Sequence, residues 1–106
     1  MSYRPLPMLV SVGATVVDIN KAPSVLKVVA YNHAASQLPA FVQLFNAKAA
    51  DVTLGTTVAA YTFQVSPGDN EDAIDDLYFS TAVSVACTST ATGSTAALCD
   101  ISPAVR

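Results

Sequence analysis

The residues best able to do chemistry in this chain are Cys87 and Cys99, which bracket the stretch CTSTATGSTAALC. Eleven residues separate them, and Gly93 is the midpoint. Two thiols could ligate a metal, supply a nucleophile or form a cross-link. A metal site needs more ligands; there is no CxxC pair, and the one histidine, His33, is far away in sequence. A reactive thiolate needs a base and an electropositive setting, and neither lies nearby in the chain. What remains is a disulfide or a pair of buried thiols. A hairpin turning about Gly93 would set the two side chains opposite each other. A disulfide closing such a loop is worth about 3 kcal/mol in the chain-entropy picture. Synthesis in a reducing cytoplasm favours the thiols. Both states stay open.

The other candidates have weaker chemistry. Asp69, Glu71, Asp72, Asp75 and Asp76 form an acidic run within SPGDNEDAIDD. Calcium-loop spacing and its central glycine are absent, so the run reads as a solvated turn. His33 reads as a loop residue at a strand end. No GxSxG, HExxH or phosphate-binding loop occurs. Tyr61, Phe63, Tyr78 and Phe79 could form a stacking platform, but alternation assigns Tyr61 and Phe63 to the core. The residue types therefore predict no enzyme, no cofactor and no metal.

Composition limits the partners. The chain has 106 residues, enough for one domain with a real core. Only 12% of residues are charged while 52% are apolar, against about 25% charged in a typical domain. So little charge leaves weakly polar surface, which suits burial against other subunits. The net charge is −3 and the five basic residues are scattered. A groove tracking nucleic-acid phosphates is not expected. The N-terminal apolar run is broken by Pro5 and Pro7 and is far too short for a bilayer. The chain is expected to be soluble, off the membrane and made in the cytoplasm.

The elements that must position these residues are strands. β-branched and aromatic residues fill short apolar runs, and no window sustains a helical period. Strands are expected at 8–12, 15–19, 25–32, 41–46, 58–65, 77–80 with 83–88, and 97–102. In AVSVACT, Val83, Val85 and Cys87 share one face; in ALCDIS, Cys99 and Ile101 do. VLKVVAY is apolar on both faces apart from Lys27, which predicts a central strand. The fold class expected is all-β: a compact antiparallel β-sandwich, jelly-roll- or Ig-like, of seven to eight strands. Val28, Phe41, Leu44, Phe63, Val83, Val85 and Ile101 are the expected core. Residues 1–7 read as an N-terminal arm outside the sheets, and 8–106 as the single domain. Tyr3, Leu6 and Met8 on or beside that arm are candidate anchors on a neighbouring subunit.

Several short motifs recur in order: a strand ending at Asn32, LFNAK at 44–48, LGTT at 54–57 and FSTA at 79–82, followed by a Thr/Gly-rich loop. Across about residues 25–98 this succession resembles a group of small tailed-bacteriophage virion proteins. Ala82 stands where that group usually has glycine. The resemblance implies a β-sandwich in a virus particle, with no catalytic or cofactor residues to carry over. Taken with the low charge, it predicts a capsid decoration or cement protein on the outside of the shell. Such a protein would be a homo-oligomer, a trimer under capsid symmetry being favoured. Its partners would be the major capsid protein or other virion proteins, and it would bind no nucleic acid. It would be made in the host bacterial cytoplasm and end in the virion. A neck, tail or fibre component is the alternative within the particle, and a carbohydrate-binding β-sandwich module is the alternative outside it.

Overall fold

The computed structural model describes residues 3–21, 24–32, 39–66 and 71–106, with the side chains of 21 and 71–73 outside that description. These residues form two antiparallel sheets packed face to face. One sheet is built on β4 (Ser24–Asn32), which pairs with β7 (Glu71–Phe79) on one side and β9 (Cys99–Val105) on the other. The far edge of β9 carries two short strands, β1 (Arg4–Pro5) and β2 (Leu9–Val12). The second sheet has the order β3 (Val17–Lys21), β8 (Ala82–Thr88), β5 (Ala40–Phe45), β6 (Tyr61–Val65). Nine strands are thus found among the described residues, and the all-β sandwich expected from the sequence is the fold.

β4 shows why the sequence chooses this arrangement. Ser24, Leu26, Val28, Ala30 and Asn32 are buried, while the residues between them are half-covered. That period of two places one row of side chains in the core and the other on the outer face. Leu26, Val28 and Ala30 meet Val42, Leu44, Val83, Val85 and Ile101 in one cluster between the sheets. Phe79 joins them fully buried, and its ring meets that of Tyr61 edge-on at 5.5 Å across the gap.

The second sheet is also covered on its outer side. All seven residues of β8 are buried, although only alternate ones can face the other sheet. Residues 46–60, which follow β5 and include a single 3-10 turn at Ala49–Asp51, lie against this face. Ser84 Oγ donates to the Ala47 carbonyl at 2.8 Å, and the Ala49 N–H donates to Asp18 Oδ1 at 2.7 Å. Gly55, at φ 84°, makes the sharp turn that brings this segment back to β6.

Four expectations need correction. The acidic run is not a turn beyond residue 70: Glu71–Phe79 is a continuous strand. Leu26 opposes Leu77 and Val28 opposes Ile74, so Asp75 and Asp76 together face Lys27 alone. This is a β-bulge, and it lets Ile74 and Leu77 both pack toward the core despite their spacing of three. Asp76, at φ 58°, is the residue that absorbs the extra length.

The N-terminal segment is not a free arm either. Arg4 and Pro5 pair with Val105 and Ala104, and the Leu6 N–H donates to the Pro103 carbonyl at 2.9 Å. Prolines are tolerated because this is a sheet edge, where a missing N–H costs little. Finally, Phe41 and Phe63 are only half-buried. Phe41 is an odd number of residues from inward-facing Val42 and Leu44, so it faces outward. Phe63 opposes Val42 but sits on edge strand β6, which leaves one flank of the ring open.

The core assignment has a direct consequence. Phe79→Ala should cost about 3–5 kcal/mol of unfolding free energy, and Phe63→Ala roughly half as much. Urea denaturation of the two variants checks the ranking; equal losses would contradict the half-open position of Phe63.

Candidate functional site

β8 leaves its sheet at Thr88. The chain makes a short excursion closed by the Thr88–Ala96 bridge, with the Ser89 N–H donating to Thr95 O and the Ala97 N–H donating to Cys87 O. Two residues after Ala97 it enters the other sheet as β9. Cys87 and Cys99 therefore lie in different sheets and face one another across the core. Both are fully buried, and Cys87 Sγ donates to Cys99 Sγ at 2.9 Å. The expectation that both point inward is met. The expectation that they sit on adjacent strands of one hairpin is not, because the hairpin stem ends before Cys99. The Cys87 thiol is pushed up by the bond it donates to Cys99 and by burial. Cys99 accepts that bond, which lowers its value against burial and the nearby Asp100 charge.

The N-terminal anchors have separate fates. Tyr3 Oη donates to Asp76 Oδ1 at 2.6 Å and accepts from the Asp76 N–H at 3.0 Å. Arg106 Nη2 donates to the same carboxylate oxygen at 2.7 Å, and its guanidinium lies 5.0 Å from the Tyr3 ring centre. Lys27 Nζ lies 5.9 Å from that ring. Tyr3 thus ties both chain ends to the bulge of β7. Leu6 is half-buried against the core. Met8 remains exposed.

Met8 is part of a larger exposed surface. Beside β2 a groove of about 620 Å³ is lined by Met8, Leu9, Val10, Gly13, Ala96 and Leu98. Val10 is 69% exposed, Met8 56% and Leu98 48%. Gly13 lets the backbone pass close to the Leu98 side chain: an added Cβ there would come within 2.9 Å of Leu98 Cδ2, the movable end of an exposed side chain, and 3.3 Å of Ala96 Cβ. No charged side chain lines this groove. On the opposite edge of the same sheet, β7 presents exposed Asp75 and Asp76. Asp69 and His33 lie outside the described residues.

No group of three or more His, Cys, Asp or Glu side chains gathers among the described residues as a metal site would require. None of their helices is long and apolar enough to cross a membrane. Tyr61 and Phe63 are half-buried and packed against the core, so they form no open stacking platform. Tyr78 is exposed on β7.

The short motifs have structural roles. Asn32 is buried and donates from Nδ2 to the carbonyls of Val65 and Ser66, tying β4 to the end of β6 in the other sheet. Asn46 accepts from the N–H groups of Thr81 and Ala82 and donates to Ser80 Oγ, so LFNAK holds the FSTA crossing between the sheets. Ala82 opens β8 without a positive φ. The role of Asp76 was missed in the sequence, although the three-residue gap between Ile74 and Leu77 was a signal for the bulge that presents it.

Comparison with protein-family models, with curated proteins and with solved structures finds no match for this chain.

The Tyr3 contact makes the edge strand sensitive to alkali. The hydrogen bond to Asp76 holds the Tyr3 phenol above its ordinary value near 10.0. A raised value means the contact is intact at neutral pH and is lost as pH rises through the Tyr3 titration. NMR titration should place Tyr3 above an ordinary phenol, and Asp76→Asn should return it toward that value. Tyr3→Phe should increase hydrogen exchange at Leu6 and leave β4 protected. An unshifted Tyr3 would contradict the contact.

Proposed function

We propose that this chain is a non-enzymatic structural protein of a tailed-bacteriophage particle, a decoration or cement protein on the outside of the capsid shell. It acts as a homo-oligomer, with a trimer favoured, and its partner is the major capsid protein. The observation that carries this reading is the uncharged groove beside β2, with Met8, Val10 and Leu98 held in water. Exposed apolar side chains concentrated in one groove suit a contact surface better than a monomer's outer face. The low charge of the whole chain and the order of its short motifs support the same reading.

The mode of contact follows from the edge itself. β2 shifts register between Leu9 and Val12, and Ser11 sits at φ 54° with its N–H bound to Asp100 Oδ1 at 3.0 Å. A bulged edge is a poor template for strand addition. Contact here would instead bury side chains in the groove. A neck, tail or fibre position remains the alternative within the particle. The carbohydrate-binding alternative loses its best aromatics, because Tyr61 and Phe63 pack against the core.

Particle imaging with quantification of this chain tests the reading. Copy numbers comparable to the capsid protein, with density on the outer shell, are expected. A few copies at a single vertex would favour the neck or tail. Val10→Asp and Leu98→Asp should change unfolding free energy by less than about 1 kcal/mol, as exposed substitutions do. They should weaken binding to particles by tenfold or more, on the order of 1.4 kcal/mol. Unchanged particle binding would remove the groove from the interface. Absence of the chain from particles would refute the reading altogether.

A further inference from the structure

We propose that Cys87 and Cys99 form an oxidation-dependent disulfide that covalently joins the two sheets. This inference does not depend on the particle reading. It stands on the position of the pair: the two sulfur atoms are already in contact at 2.9 Å, on opposite walls of the core. No third ligand-type residue joins them among the described residues. Thr88 Oγ1 is engaged with Thr90 O, and Gln43 Nε2 with Thr88 Oγ1 and Gly93 O. Gln43 and Thr88 alternate along their strands with inward-facing Val42 and Cys87, so these bonds lie on the outer face of the sheet and the sulfurs meet among apolar core side chains.

The chemistry requires a disulfide oxidant, such as oxidised glutathione. One cysteine thiolate attacks an oxidant sulfur, giving a mixed disulfide and one released thiolate. The second cysteine, as its thiolate, attacks the protein-side sulfur of that bond and releases the other half of the oxidant. The two cysteine protons end on the two released thiols. The protein loses two hydrogens and two electrons, and the oxidant gains them.

Both sulfurs are fully buried, so the first attack needs a local opening. The excursion between Thr88 and Ala96 offers one. It is held by a few bonds, including Ser89 N–H to Thr95 O and Ala97 N–H to Cys87 O. Segments with few buried contacts open at a fraction of the global cost. The reaction would then be slow and limited by opening, and its product, once closed, would be shielded from reductants. A reducing cytoplasm would keep the dithiol, and an oxidising exterior would convert it.

The full-length protein is purified reduced, incubated natively with oxidised glutathione, acid-quenched, denatured and treated with a maleimide. The expected product is a monomer lighter by two hydrogens, with no maleimide added and a peptide map linking residues 87 and 99. Its melting midpoint should rise by on the order of 10 °C over the reduced form. The same linkage requires the disulfide to be favoured in the native chain over the urea-unfolded chain by on the order of 100-fold in glutathione redox buffers. The double variant Cys87→Ala, Cys99→Ala should melt identically in both buffers. If that variant does not fold, the redox equilibria of the unaltered chain still decide. Two maleimides added after prolonged oxidation, a stable glutathione adduct, an interchain dimer, or equal redox equilibria in native and unfolded chains would each overturn the proposal.

Discussion

Everything in this sandwich depends on how the chain passes from one sheet to the other. After β2 it crosses at Gly13–Val16 to become β3, and after β8 it crosses at 89–98 to become β9. These two crossings run side by side: β2 pairs with β9 in one sheet and β3 with β8 in the other. Between them the Cys87 N–H donates to the Gly13 carbonyl at 2.9 Å. A bent ribbon of this kind closes one flank of the core with backbone hydrogen bonds rather than with large side chains. It also explains why small residues gather here. Gly13, Ala96 and Ala97 occupy the corner, where a Cβ on Gly13 would already crowd Leu98.

The opposite flank is closed by side chains. Tyr61 and Phe79 meet edge-on, and Asn32 reaches from β4 to the carbonyls at the end of β6. Each such buried bond contributes only about 1 kcal/mol net, but leaving those carbonyls dry and unpaired would cost more. The Ser80–Thr81 crossing is fixed in turn by Asn46. The side chains that the short motifs supply are therefore those that hold one sheet against the other.

How far the sequence reveals this differs by element. β4 is legible because VLKVVAY is a continuous apolar, β-branched run broken only by Lys27 and lacks turn residues. The inward direction of Cys87 and Cys99 is legible from the alternation of the strands that carry them. Their placement in different sheets is not, because a Ser/Thr/Gly-rich stretch between two strands signals a turn without saying where its stem ends. β7 was hidden by composition: five acids suggested a solvated turn, and the bulge put its apolar residues out of period two. The N-terminal strand was hidden by Pro5 and Pro7, whose cost depends on whether the position is central or at an edge. For the candidate contact surface, composition showed that apolar residues were in excess. Only the packed fold shows which of them remain in water.

Those residues are not spread evenly, and their distribution gives the two edges of the first sheet different characters. β7 ends the sheet with exposed Asp75 and with Asp76 ion-paired to Arg106 at its bulge, and a bulged, charged edge opposes pairing with another copy of itself. β1 and β2 end it with Arg4, Pro5, Leu9, Val10 and Val12, and with no acid. Self-association through β7 would bring carboxylates together, while burial at the β2 edge desolvates no charged side chain of the groove. The same asymmetry places the tether of both chain ends, through Tyr3, Asp76 and Arg106, away from the groove. The edge best suited to contact is thus free of the interactions that secure the termini, so covering it need not disturb them.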